Sequence, residues 1–166
     1  MGELSELESV AYHEAGHAVA AIRLRRAFKK ASIIPEEGSA GRVSGFSEWF
    51  PDQYLLNTNI LMRMVKSSII IDFCGVASAE KQTGVRDWET ATHDLSNMIN
   101  VALSVCSSAE DVSSYLDELW QDSINFVNNP ENWADIEIVA KALLREKELS
   151  RKKIVQILKD EHQPKS

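Results

Sequence analysis

Cysteine is scarce in this sequence and does not occur in pairs. The 166 residues contain two cysteines, Cys74 and Cys106, which lie far apart and form no CxxC motif. Without closely spaced pairs, nothing in the sequence indicates a disulfide framework. We therefore expect both thiols to be free, reduced and buried.

Long apolar runs are also missing. No stretch approaches the roughly 20 apolar residues that a membrane-spanning helix requires, and the N-terminus has no secretory signal. The opening MGELSE lacks the serine or threonine that a myristoylation signal carries at its sixth position. The sequence predicts a cytoplasmic protein without a membrane span.

Positive charge is in deficit, with a formal net charge of −7. Nucleic-acid binding needs a broad positive face that displaces counterions, so we expect no nucleic-acid partner. One basic cluster runs against this trend and comprises Arg23, Arg25, Arg26, Lys29 and Lys30. We interpret it as a solvated helix end whose cations complement the C-terminal carbonyl groups; the alternative is a patch for a partner or a membrane.

Helical periodicity is what the sequence has in abundance. Hydrophobic residues make up 44% of the chain and recur at steps of three and four. The predicted helices cover residues 4–26 and 51–84, a segment from Thr90 or Thr92, a segment after SSAED at 107–111, and the stretches 133–149 and 150–158. This pattern predicts a mainly α (α+β) fold of five to six helices. We expect one domain over residues 1–166, with a first part at 1–106 and a C-terminal helical part at 107–160.

Three further features concern the packing of these elements. The segments KASIIP and GRVSGF bracket the turn-prone EEGSA, which predicts a small β-hairpin over about residues 30–47. Gly16 lies inside the first predicted helix, where glycine costs stability, so we expect another backbone to approach closely there. Residues 69–74 are apolar nearly all round, which predicts that the second helix is the buried central one.

The stretch AYHEAGHAVA, at positions 11–20, places His13 and His17 four residues apart on the first predicted helix. Residues at this spacing lie one above the other, with Cβ atoms about 5–6 Å apart, so both imidazoles can reach one metal ion. Glu14 falls on a neighbouring face, where it can take a proton from a metal-activated water. This is the HExxH arrangement; the alternative is two hydrogen-bonded histidines on a core-facing helix. A catalytic zinc ion needs a third ligand.

From this stretch onwards the sequence resembles the peptidase domain of the FtsH-type, AAA-linked zinc metalloproteases. The similar segments follow the family's order over most of residues 8–160: AYHEAGHAVA, ASIIPEEGSAGRV, GVASAEKQTG, ATHDLSNMINVA and NNPENWADIEIVAKALLREKELSRKKIVQIL. The resemblance implies a helical zinc-peptidase domain with zinc as its cofactor. It also implies that Asp94, which matches the aspartate of the family's Asn-Asp-Leu segment, joins His13 and His17 as a zinc ligand.

The residues by themselves leave the third ligand open. Asp94 falls in the first turn of a predicted helix, where a carboxylate is also favoured by the macrodipole. His93 stands where the family has asparagine and offers a ring nitrogen instead. Because neighbouring helix positions point about 100° apart, we expect only one of His93 and Asp94 to face the metal. Glu80 is a further candidate, either as an acceptor that orients a ligand histidine or as a surface residue.

The resemblance implies a zinc-dependent metalloendopeptidase that hydrolyses peptide bonds in unstructured polypeptides, with Glu14 as general base. The strand around residues 41–44 matches the family's substrate-side strand and could hold an extended peptide; the alternative is a hairpin that only covers the core.

The resemblance does not extend to the motor of these proteases. The chain contains no GxxxxGK[ST] phosphate loop, so we expect no intrinsic ATPase and interpret the chain as a stand-alone peptidase domain. A separate partner ATPase and a homo-oligomer are both compatible with this interpretation. The alternative function is a catalytically weak, peptidase-like binding or regulatory module.

Overall fold

Six helices and a three-stranded sheet form the fold of the computed structural model, which describes residues 3–36, 40–46, 58–88 and 91–163, with residues 3–5 described by their backbone alone. The helices are α1 (Glu3–Arg23), α2 (Thr58–Thr83), α3 (Thr92–Leu103), α4 (Ala109–Asn128), α5 (Pro130–Glu146) and α6 (Arg151–His162), and the strands are β1 (Lys30–Ser32), β2 (Arg42–Ser44) and β3 (Glu148–Ser150). The predicted mainly α fold with a small sheet after the first helix is confirmed. The predicted division at residue 106 stays a prediction.

Side-chain caps explain where the C-terminal helices begin. Ser108 accepts a hydrogen bond from the backbone N–H of Asp111 and caps α4, and Ser150 caps α6 in the same way. Asn129 caps α5 and is followed by a proline in the first turn of that helix. A cap satisfies backbone donors that have no partner inside the helix, and proline needs no donor there. The NNP sequence therefore ends one helix and starts the next.

The central position of α2 is confirmed. This helix packs against α1, α3 and α4, and its middle is buried at Ile69, Ile70, Ile71, Phe73 and Cys74. The predicted start of this helix at Pro51 lies outside the described residues. None of the helices in the described part of the chain is long and apolar enough to cross a membrane.

The sheet contains one strand that the sequence reading missed. β1 lies in the middle and pairs antiparallel with β2 on one side and with β3 on the other. The periodicity of the sequence predicts that the fifth helix extends to residue 149. In the structure Lys147 adopts a positive φ of 67°, which ends α5 at Glu146. Leu149 then lies buried in a strand that pairs with β1. Three residues are too few for a strand period to show in the sequence.

A long-range ion pair fixes the end of α1. Arg23 donates to the buried carboxylate of Asp135 on α5 at 2.7 Å, and the same carboxylate contacts the Nε2 atom of His162 at 2.6 Å. Burying Asp135 without partners would be costly, and the two contacts offset that cost. They hold α1, α5 and the end of α6 together.

Both cysteines are free, as predicted; Cys74 is buried, whereas Cys106 is half-buried. The close approach expected at Gly16 is also confirmed. A Cβ atom added at Gly16 would overlap the carbonyl oxygen of Cys74 and the hydroxyl of Ser78, both on α2. Gly16 therefore sets how closely α1 and α2 cross.

We expect Gly16→Ala to destabilise the fold, although alanine is the better helix former. The added methyl group meets backbone of α2 that cannot move aside cheaply, and overpacking of this kind costs about 1–3 kcal/mol. The measurement is the free energy of unfolding in urea. The exposed Ser113→Ala substitution on α4 is the matched control and should change stability by less than about 0.5 kcal/mol. A Gly16→Ala variant as stable as the parent would contradict the close approach.

Candidate metal centre

Two histidines of α1 point towards the same place. His13 and His17 lie one helical turn apart, and their Nε2 atoms are 2.9 Å from each other. Their rings meet nearly edge to face, with an interplanar angle of 84°. His17 is buried, whereas His13 is half-buried. The i, i+4 spacing thus brings two ring nitrogens together, as the helix geometry predicts.

A carboxylate from the first turn of α3 completes the group. The Oδ2 atom of Asp94 lies 2.9 Å from Nε2 of His13 and 3.4 Å from Nε2 of His17. These separations are close to the roughly 3.3 Å between neighbouring ligand atoms in a tetrahedron with about 2.0 Å bonds to zinc. Nitrogen and carboxylate oxygen are both donors that zinc accepts. The three side chains therefore form a candidate metal-binding group.

The orientation of His17 is set by α2. Its Nδ1 atom donates a hydrogen bond to the backbone carbonyl of Ile71 at 2.8 Å. That bond keeps a proton on Nδ1 and directs Nε2 at the other two donor atoms, so the Nε2 lone pair can meet a metal ion when the ring is neutral. A Cβ atom added at Gly75 would overlap the His17 ring. Gly75 thus provides the space that this imidazole occupies.

The charges around the three donor atoms favour a cation. Burial opposes a charge on His17, but the carboxylates of Asp94, Glu14 and Asp72 outweigh it and raise the pKa of His17 to about 10. Burial also disfavours the charged form of Asp94, and the two histidines outweigh it in turn, so the pKa of Asp94 lies well below its usual range. A negative environment that favours a proton here also favours a divalent metal ion.

Glu14 lies beside this group in a dry environment. It is 4% exposed, and burial raises the pKa of its carboxyl despite the opposing influence of His13 and His17. The backbone N–H of Val43, on β2, donates a hydrogen bond to the carboxylate. Its Oε2 atom is buried and has no hydrogen-bond partner among the described residues. Buried carboxylate oxygens normally have partners, so this atom is available to a group that enters the site.

The two rival ligands lie elsewhere. His93 is exposed on the wall of the adjoining cavity, and the metal-binding group contains its neighbour Asp94 instead. The Glu80 carboxylate pairs with Arg86, at 2.7 and 3.1 Å. The acceptor that orients His17 is the Ile71 carbonyl, which sequence reasoning had no means of finding.

A cavity of about 1140 Å³ opens onto the group. Residues 40–46 form one wall, which includes β2, and α2 and α3 contribute the other. β2 is an edge strand of the sheet, with β1 on its other side. The side chains of the candidate site that line this cavity are His13, Glu14, His17, Asp72, His93, Asp94 and Asn97.

Sequence reasoning overlooked Asp72. It is a single charged residue inside the apolar stretch of α2, and the structure places it in the cavity, where its Oδ2 accepts a hydrogen bond from Asn97 at 2.6 Å. An isolated carboxylate in an otherwise buried run is the signal that could have identified it, since such groups are rare without a partner or a role.

Comparison with known proteins gives one partial similarity and no matching family model. The chain is 38% identical, over 92 residues, to the ATP-dependent zinc metalloprotease FtsH of Mycoplasma mobile. The similarity covers 49% of this chain, which spans 12% of the length of that relative. The chain therefore contains a region similar to FtsH.

Proposed function

We propose that the chain is a zinc-dependent metallopeptidase that hydrolyses peptide bonds in unstructured polypeptides. The observation that carries this proposal is the convergence of His13, His17 and Asp94 beside the buried Glu14, whose Oε2 has no partner in the described part of the chain. The similarity to FtsH supports the choice of zinc and of peptide hydrolysis, because that relative is named as a zinc metalloprotease.

In the proposed centre His13, His17 and Asp94 hold the zinc ion. When bound, zinc supplies a Lewis acid that polarises a peptide carbonyl and lowers the pKa of water. Burial raises the pKa of Glu14 and so makes its carboxylate a stronger base. Glu14 takes a proton from the attacking water at its free Oε2 and passes it to the departing amine. The N–H of Val43 holds the carboxylate in place for both transfers.

The substrate class follows from the shape of the site. Glu14 and His17 are buried at the base of the cavity, so a folded protein surface cannot reach them. An extended chain can enter along β2, where the edge of the sheet offers main-chain hydrogen bonds that do not depend on the side chains of the substrate. We therefore propose unfolded polypeptide or short peptides as substrates. Folded substrates would need a separate ATPase as a partner to unfold them.

Zinc binding should depend on Asp94 and not on the two rivals. After removal of metal by a chelator, we expect the chain to bind one zinc ion, and Asp94→Ala to weaken binding by about 100-fold or more, since loss of a direct ligand exceeds the effect of losing an outer partner. His93→Ala and Glu80→Ala, which change neighbouring or nearby polar residues, should retain the parent affinity. The measurement is competition with a chromophoric chelator. Loss of zinc in His93→Ala with retention in Asp94→Ala would reverse the assignment.

Peptide hydrolysis should depend on Glu14. The zinc-loaded chain is expected to cleave a reduced, unfolded polypeptide without ATP, and Glu14→Gln should lower the rate by about 10²–10⁴-fold while retaining zinc. Glu80→Gln, the same change on another helix, should leave the rate unaltered. Cleavage products are measured by mass spectrometry. If neither parent nor variant cleaves although both contain zinc, the chain is better described as a peptidase-like binding module.

A further inference from the structure

Asp72 has no role in the proposed chemistry, yet it is a single charged residue within an otherwise buried apolar run of α2. It interrupts the run from Ile69 to Cys74 on α2, whose other members are all buried. Burial raises the pKa of its carboxyl to about 7, with Asp94 adding to the effect. Asp72 itself is half-buried and lines the cavity. The contacts of Asp72 indicate what the residue contributes.

The Asp72 carboxylate connects two helices next to the metal-binding group. On its own helix, Asp72 directly follows Ile71, whose carbonyl orients His17. Across the helix boundary, its Oδ2 accepts the 2.6 Å hydrogen bond from Nδ2 of Asn97. Asn97 lies on α3 three residues after Asp94, so the two side chains are neighbours on one face of that helix.

The helix α3 needs such a connection. Met98 and Ala102 are its buried residues, while Ile99 and Leu103 are 38% and 56% exposed. Leu95 and Val101 pack against the core but are only half-buried, so the apolar contact of the helix is incomplete. The N-cap position of α3 is Ala91, which makes no side-chain cap within the described residues. Yet the first turn carries Asp94, whose Oδ2 must stay within about 0.5 Å of its place for three donors to act together.

We propose that Asp72 and Asn97 form a positioning pair that holds the first turn of α3 against α2 and thereby keeps Asp94 in register with His13 and His17. The inference rests on the proposed function, because it concerns the geometry of the same zinc centre. The pair acts through Asp94 and does not touch the metal. In this pair the side-chain amide of Asn97 donates a hydrogen bond to the Asp72 carboxylate. The bond links α3 to α2, so it opposes a shift of α3 along α2.

The test compares zinc affinity in single variants of the full chain. Asn97→Ala removes the donor and should weaken zinc binding by about 10–100-fold, the range found when outer partners of metal ligands are lost. Asp72→Asn retains a carbonyl acceptor in the same place but removes one charge that favours a cation, so it should weaken zinc binding by less than about 10-fold and by less than Asn97→Ala does. Asn100→Ala, an exposed asparagine one turn further along α3, is the matched control and should bind zinc like the parent.

A second readout separates positioning from general loss of structure. Hydrogen exchange of the metal-free chain should become faster in the first turn of α3 in Asn97→Ala, with the exchange of α1 and α5 unchanged. Asn97→Leu, which keeps the side-chain size and removes the donor, should show the same exchange and the same loss of affinity. This variant preserves the test if the alanine variant folds poorly.

The outcomes distinguish this inference from the proposed function. If the parent binds zinc and Asn97→Ala and Asn97→Leu bind it equally well, the positioning pair is wrong while the zinc centre stands. If Asp72→Asn weakens binding as much as Asn97→Ala, the charge of Asp72 acts on the metal directly and the hydrogen bond does not. If the parent itself binds no zinc, the proposed function fails and the inference fails with it.

Discussion

The close crossing of α1 over α2 is the contact on which the rest of the candidate site depends. Gly16 lets the two backbones approach, and Gly75 leaves room for the His17 ring on the facing helix. At that distance the Ile71 carbonyl can accept the Nδ1 proton of His17. A larger residue at either glycine would move the ring away from its acceptor. The interface between α1 and α2 therefore serves both the packing of the fold and the candidate site, because the glycines that allow the close packing also set the orientation of the His17 ring.

Electrostatics adds a second constraint that the helix crossing makes possible. Asp94, Glu14 and Asp72 gather around two histidines in a largely buried place, where charges interact more strongly than in water. Such a concentration of carboxylates is unfavourable without positive charge among them. His17 supplies that charge when protonated, and the proposed zinc ion would supply it when bound. The centre is buried on the side of Glu14 and opens to the cavity on the other side.

Much of the local structure was predictable because it depends on neighbours in sequence. Helix identities follow from a period that local sequence displays, and the cap at Ser150 lies at the predicted start of the last helix. The cap at Asn129 begins α5 at Pro130, whereas the predicted helix began at residue 133. The strand at residues 148–150 was missed for the converse reason. It exists because β1 offers an unpaired edge and Lys147 reverses the chain, and neither condition is visible in a three-residue segment.

The sequence by itself determined two donors of the candidate centre, His13 and His17, and their spacing, because i and i+4 positions share a helix face in any helix. It also placed Glu14 next to them. Only the tertiary structure decided that Asp94, 81 residues after His13, approaches both rings while His93 points into the cavity. It alone supplied the Ile71 carbonyl, the space at Gly75 and the Asn97 partner of Asp72. Those contacts depend on how α2 and α3 pack against α1, and packing between distant segments leaves no periodic trace in the chain.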